Sequence, residues 1–269
     1  MRTLAFLVAL LSLCWPSVAG AQGLGLPNQG SGKPVEIHAD QGIEWQQDAQ
    51  TYIARGNASA RQGDVAVHAD ELIAHYKKGP DGKTQIWRID AARNVRITSP
   101  RQTAYGKKGV YDVTKGIFVL TGAPRMETAT DKISASKSLE FWEAKSLAVA
   151  RGNAVAVRGD KRLRADVLTA YFSKGKGGKS QVNRIDAFDN VLISTPSEIV
   201  RGHRGVYNTQ TGIIVLQGSV KITRGDDQLN GEAAEVNLNS GVSRLLSGSS
   251  GRVRGIFQRQ GRQPLPKSQ

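Results

Sequence analysis

The chain has 269 residues, with 37 Lys+Arg against 23 Asp+Glu, a formal net charge of +14 and a single Cys. That cysteine count excludes a disulfide scaffold and a Cys-rich zinc protein. Mean hydropathy is −0.35 with only one long apolar run, which excludes a polytopic membrane protein, and apolar residues recurring along the whole chain exclude a disordered one.

The apolar run, Leu4 to Trp15, follows Arg2 and leads into Ser17-Val-Ala-Gly-Ala21. A positive start, an apolar stretch and small residues at Ala19-x-Ala21 predict a cleavable secretory signal over residues 1–21. The run is too short for a membrane anchor, which needs about 20 apolar residues. Cleavage removes Arg2 and Cys14, so the exported fold needs no disulfide and rests on apolar burial and ladder hydrogen bonds. Gly-rich residues 22–34 predict a flexible lead-in, 35–250 the folded body, and the basic 251–269, which holds no acid, a disordered tail.

An internal repeat dominates the body. Ala54-Arg-Gly-Asn-Ala58 returns as Ala150-Arg-Gly-Asn-Ala154, Arg88-Ile-Asp-Ala91 as Arg184-Ile-Asp-Ala187, and Gly109-Val-Tyr111 as Gly205-Val-Tyr207. Of the 69 positions from 54 to 122, 34 are identical 96 residues later, and a third, partial copy begins near Gly231. Weaker sub-repeats inside each copy predict a stacked, solenoid-like architecture in which each unit buries its apolar face against its neighbours.

Within a unit the period is 2: Val65-Ala-Val67, Val95-Arg-Ile97, Tyr111-Asp-Val113 and Val220-Lys-Ile222 alternate between Gly-, Lys- and Asp-rich breakers. Residues 134–150 carry the one pattern open to a helical reading. Ile133, Ala135, Leu139 and Phe141, however, sit 96 residues after the alternating Ile37, Ala39, Ile43 and Trp45. The expectation is an all-β chain of eight to eleven stacked strands, spanning roughly 40–50 Å.

The repeat also weighs the candidate chemistry, because a catalytic residue is usually singular. Asp40, Asp70 and Asp166 recur in Ala-Asp and Asp90 and Asp186 in Ile-Asp-Ala, so their repetition favours turn and strand-edge roles over paired acids. His38 and His68 precede two of the Ala-Asp pairs, but Arg164 precedes the third, which argues against a metal site. Gly23-Leu-Gly25 lacks the remainder of a dinucleotide loop, so no cofactor is expected. The positive charge fits a solvated basic face or attraction to anionic envelope components. With 6% aromatic residues and no stacking platform, nucleic acid is not an expected partner.

Lys33-Pro-Val-Glu-Ile-His-Ala-Asp-Gln41, Ala54-Arg-Gly-Asn-Ala58 with Arg61-Gln-Gly63, Val67-His-Ala-Asp70, and Gly109-Val-Tyr-Asp-Val113 leading to Gly116-Ile-Phe-Val-Leu-Thr-Gly122 resemble the LptA (OstA-like) family of periplasmic lipopolysaccharide transport proteins. The resemblance covers about residues 33–247. It implies an open, V-shaped β-jellyroll of stacked antiparallel strands that shields the acyl chains of lipid A in an apolar groove without catalysis. It also implies end-to-end self-association, an inner-membrane LptC-type partner at one edge and an outer-membrane LptD-type translocon at the other. By motif matching, Val35, Ile37, Tyr111 and Val113 face that groove. Alternation adds Ile43, Trp45, Val65, Val67, Val95 and Ile97, and the repeat adds Val191, Ile193 and Tyr207. The rival expectations are an LptC-type component of the same system, a β-solenoid enzyme acting on envelope polysaccharide, and a purely structural protein with a packed core.

Overall fold

The repeated Gly-Asn pairs mark a kink inside two of the long strands. Gly56 and Asn57 have φ of +76° and +42°, and their repeat mates Gly152 and Asn153 have +85° and +46°. Such left-handed residues insert a kink into a ladder without ending it, and Gly and Asn tolerate the conformation best. Asn94 and Asn190, both at φ +50°, play the same part in other strands. The Ala-Asp motifs lie across from these kinks. The side-chain amides of Asn57, Asn94 and Asn190 donate to Asp40 (2.9 Å), Asp70 (3.0 Å) and Asp166 (2.8 Å). The recurring aspartates thus tie down a hinge line.

In the computed structural model, residues 35–79, 82–174, 180–247 and 252–257 are described, and every element among them is a strand or a turn. The expected signal and lead-in, the loop residues 80–81 and 175–179 and most of the expected tail lie outside these ranges. Short strands β1 (Glu36–His38) and β2 (Ile43–Gln46) lead into four long ones: β3 (Thr51–Gln62), β4 (Val65–Lys78), β5 (Thr84–Ser99) and β6 (Gln102–Asp112). Four short strands follow, β7 (Ile117–Thr121), β8 (Arg125–Thr128), β9 (Asp131–Ser134) and β10 (Ser138–Trp142). Six more long ones are β11 (Leu147–Arg158), β12 (Lys161–Lys174), β13 (Ser180–Ser194), β14 (Ile199–Asn208), β15 (Ile213–Arg224) and β16 (Asp227–Asn237). The chain closes with β17 (Val242–Leu246) and β18 (Arg254–Ile256), so residues 254–256, assigned to the tail by composition, add a strand by pairing with Gln228–Asn230.

All pairings are antiparallel and form one sheet. Where strands are short, two share one rung: β1 and β2 both pair with β3, β7 and β8 with β6, β9 and β10 with β11, and β17 and β18 with β16. Ten long strands and four such pairs give fourteen rungs, more than the eight to eleven expected, and a length of roughly 60 Å. The shortfall arose because each copy contributes six rungs, some split in two by the kink.

Folding along the hinge line divides the sheet into two flanks. Flank I carries β2, β7, β10 and β17 with the matching halves of the long strands, and flank II carries β1, β8, β9 and β18 with the other halves. Their inner faces pack together, since Ala54 and Leu72 of flank I share one buried cluster with Ala60 and Ile97 of flank II. A second cluster does the same for the second half, with Leu168 and Leu216 against Ile193 and Ile222.

Candidate functional site: an apolar seam between two flanks

Side chains of ladder partners point to the same face of a sheet, so the ladders show what lines the seam. On flank II one ladder runs through Ile37, Ala60, Val67, Ile97, Ala104 and Met126. It continues through Ile133, Ala156, Leu163, Ile193, Val200, Ile222 and Leu229 to Gly255. Every one of the fourteen rungs contributes an apolar residue or glycine. The facing ladder of flank I is equally apolar and alternates large with small, as in Ile43–Ala54–Leu72–Ala91–Gly109–Leu120. That alternation lets opposite faces interdigitate.

The seam is tightest beside the hinge, where Ala58, Leu120, Ala154 and Leu216 are fully buried. A Cβ on Gly106 would come within 2.7 Å of Leu120, so glycine is what allows that leucine to sit over the backbone. Toward the tips the lining loosens: Ile37, Val67, Ile89, Val113 and Tyr207 are only half-buried against the clusters.

The structure brings Ile37, Val65, Val67, Val95, Ile97, Tyr111 and Val113 together in the first cluster and Val191, Ile193 and Tyr207 in the second. It leaves Val35, Ile43 and Trp45 exposed, at 41%, 52% and 58%, because β1 and β2 form the edge rung. Trp45 still turns toward the seam side, stacking on Tyr52 and donating its indole N–H to the Tyr76 hydroxyl at 2.8 Å. The buried Tyr111 hydroxyl donates to Glu143 at 3.1 Å. Burial first, and the Glu143 carboxylate second, push the Tyr111 phenol above its ordinary value, so it stays a neutral donor.

Sequence reasoning missed a polar clasp across the tips of the second half. Lys161 Nζ on flank II donates to the Leu238 carbonyl at 2.8 Å, and Arg224 to the Gly241 carbonyl at 3.2 Å. Glu198, whose side chain is 3% exposed, accepts from Arg224 at 2.9 Å and from the Ser243 hydroxyl of flank I at 2.8 Å. Its signal lay in the differences between copies: 96 residues earlier stand Val65, Gln102 and Thr128. Among the described residues no group of three or more His, Cys, Asp or Glu could hold a metal ion. His75 is engaged at 2.8 Å by Asp90, which also binds Arg88.

The two ends of the seam are open rungs. Within the described residues β1 and β2 pair only with β3, and β17 and β18 only with β16. Exposed large apolar side chains gather there, Val35, Ile43 and Trp45 at one end and Val242, Leu246 and Ile256 at the other.

A family described as LptA/(LptD N-terminal domain) LPS transport protein matches residues 36–139 and again 133–242, one match for each copy of the repeat. An uncharacterised protein of Rhizobium meliloti (strain 1021) is 30% identical over 122 residues, 44% of this chain and 63% of its own length. The chain therefore spans less than two thirds of that relative. Among solved structures it is similar to LptH, the LptA homologous periplasmic component of the lipopolysaccharide transport device of Pseudomonas aeruginosa. That likeness has a TM-score of 0.42 and 15% identity, and covers 48% of this chain and 95% of LptH. With two family matches that together span well over half of its length, the chain belongs to the LptA/LptD N-terminal domain family of lipopolysaccharide transport proteins.

Proposed function

We propose that the protein is a periplasmic, non-enzymatic carrier and bridge that shields the acyl chains of lipid A between its two flanks on the way from inner to outer membrane. One observation carries this reading: apolar ladders run unbroken from one open edge of the sheet to the other. Each methylene removed from water is worth about 0.8 kcal/mol, so a multi-chain lipid crossing an aqueous space needs such a lining. The half-buried tip rows would meet the chains first, and the flanks would part about the hinge to admit them. The unlike edges suit β-addition: β1 and β2 toward an LptC-type inner-membrane protein or another copy, β17 and β18 toward another copy or an LptD-type translocon. Because unlike edges meet, the contact is heterologous and extends into a filament. An unpaired edge is otherwise an aggregation liability.

The test is photo-crosslinking in cells that make lipopolysaccharide. A photoreactive residue at Trp45 or Val113, on the seam side, should give lipopolysaccharide adducts, and one at the outward neighbours Glu44 or Asp112 should not. A well-folded protein that gives no adduct at Trp45 or Val113 defeats the acyl-shielding reading.

A further inference from the structure

The outer faces of the two flanks carry charge differently. On flank I carboxylates stand between the cations: Glu44 and Glu71 hold Arg55 at 2.7 and 3.2 Å, Asp90 holds Arg88 at 2.8 Å, Glu140 holds Arg151 at 2.7 Å and Asp186 holds Arg184 at 2.6 Å. On flank II the central outward ladder contains no carboxylate. It runs His68–Arg96–Tyr105–Arg125 in the first copy and Arg164–Leu192–Arg201–Lys221 in the second. The next outward ladder, nearer the tips, adds Arg61, Lys132 and Arg162, with Glu36 and Glu127 its carboxylates. Arg96, Arg164 and Arg201 are exposed, and none forms an ion pair among the described residues. Among the described residues Arg164 is held only by the side-chain oxygen of Asn153 at 3.1 Å.

Arg201 and Lys221 are direct ladder partners, and like charges placed opposite one another destabilise a sheet. An anion laid along the ladder relieves that repulsion. His68 registers the local field: burial, and then the charges of Arg96 and Arg61, hold its pKa below the ordinary histidine value. Guanidinium groups in a row suit phosphate and carboxylate oxygens, which they bind with paired, charge-assisted hydrogen bonds.

We infer that the cationic ladder on the outer face of flank II binds the phosphate- or carboxylate-bearing saccharide of the lipid whose acyl chains enter the seam. The inference rests on the carrier reading for the identity of the cargo. Direction argues for this occupant over a bilayer surface. The ladder runs parallel to the seam from rung to rung, so a lipid advancing along the seam leaves one group of cations and meets a second beyond the uncharged rungs Ser134 and Val155. A long sheet also twists. A flexible polyanion can follow a twisted strip, whereas a planar bilayer touches only part of it and would have to lie along the axis that the bridge uses to cross between membranes.

The experiment uses the full chain and three probes: lipopolysaccharide stripped of its acyl chains but keeping its phosphates, intact lipopolysaccharide with the seam crosslinker at Val113, and phosphatidylglycerol vesicles. The variant is Arg96→Glu/Arg164→Glu/Arg201→Glu. The charge-matched control on flank I is Lys108→Glu/Arg204→Glu/Arg244→Glu, and the milder Arg164→Gln/Arg201→Gln serves if the triple variant does not fold. The expected result is salt-sensitive binding of the deacylated saccharide by the wild type and the control. The flank II variant should bind it about tenfold or more weakly, with the Val113 adduct retained. The inference is overturned if the wild type does not bind the deacylated saccharide, or if both charge variants weaken equally. It is likewise overturned if the flank II variant loses only the vesicles. Loss of the Val113 adduct with saccharide binding intact would instead sink the acyl-shielding reading and leave the ladder as an anion site.

Discussion

The two copies of the repeat have the same ladders and differently built mouths. Register is identical through the long strands: Thr51 pairs with His75 as Leu147 pairs with Tyr171, and Ile89 with Tyr111 as Ile185 with Tyr207. At the tips the second copy spans the seam with Lys161, Arg224 and the buried Glu198. The first copy has Val65 buried in the apolar cluster and Thr128 engaged by its own turn, accepting from the Asp131 N–H at 2.9 Å. Repetition therefore preserves what closes the hinge side, where apolar burial dominates. The tips, where a hydrogen bond decides whether the mouth is held, are free to diverge.

Shared construction predicts the largest and most equal effects. Leu120 and Leu216 occupy the same place in each copy, are both fully buried, and each packs against a glycine backbone, Gly106 or Gly202. Leu120→Ala and Leu216→Ala should each destabilise the protein by about 2–5 kcal/mol. Because one unbroken ladder joins the clusters, each variant should unfold in a single urea transition shifted to lower denaturant. A second transition in Leu120→Ala at the wild-type midpoint would mean that the halves fold independently, as repeat proteins sometimes do.

The clasp should set the copies apart. Glu198→Ala strips Arg224 and Ser243 of their shared acceptor, an effect of about 1–3 kcal/mol. It should also loosen the second mouth specifically. Spin labels at Ser197 and Thr211, on the tips of flanks II and I, have repeat equivalents at Arg101 and Lys115. In the wild type the 197/211 pair should give the narrower distance distribution by electron–electron resonance. In Glu198→Ala its width should approach that of the 101/115 pair, which should not change. Equal widths in the wild type would show that the clasp does not restrain the mouth.

Much of this was legible in the residues. Alternation places Val95, Ile97, Val191 and Ile193 inward, and repetition marks Asp70 and Asp166 as structural, which their bonds to Asn94 and Asn190 explain. Strand number was not legible, because Gly122-Ala-Pro124 and Gly42 break rungs locally and only pairing shows that two short strands share one. Nor did period 2 reveal that Ile43 and Trp45 sit on a rung that, among the described residues, has a neighbouring strand on one side only. The clasp joins residues up to 77 positions apart across the seam, beyond the reach of any local pattern.

The smallest effect sharpens the comparison electrostatically, through one ion pair built twice. Glu44–Arg55 in the first copy and Glu140–Arg151 in the second both have N–O distances of 2.7 Å, but Glu44 is 49% exposed on the edge rung and Glu140 only 12% exposed within the sheet. Gln46 and then Arg55 hold the Glu44 carboxyl below its ordinary value. For Glu140 burial acts in the opposite direction, yet Arg151, Ser138 and Trp142 together outweigh it and the carboxyl is again lowered. A carboxyl whose folded pKa lies below its unfolded value stabilises the fold above the unfolded pKa and loses that contribution as pH falls through the folded one. Both pairs therefore support the fold at neutral pH and fade below about pH 4.5, the ordinary value of the glutamate. With Arg151 46% exposed, the Glu140 contribution at neutral pH should stay within about 1 kcal/mol. Glu140→Gln should flatten the acid limb of the stability profile between pH 5 and 3, by about that amount, and resist added salt. Glu44→Gln should do so less, and its effect should vanish near 1 M salt, where screening acts within about 3 Å. If another copy covers the β1/β2 edge at high protein concentration, the Glu44→Gln profile should move toward that of Glu140→Gln. An unchanged gap between the two would mean that this edge stays in water.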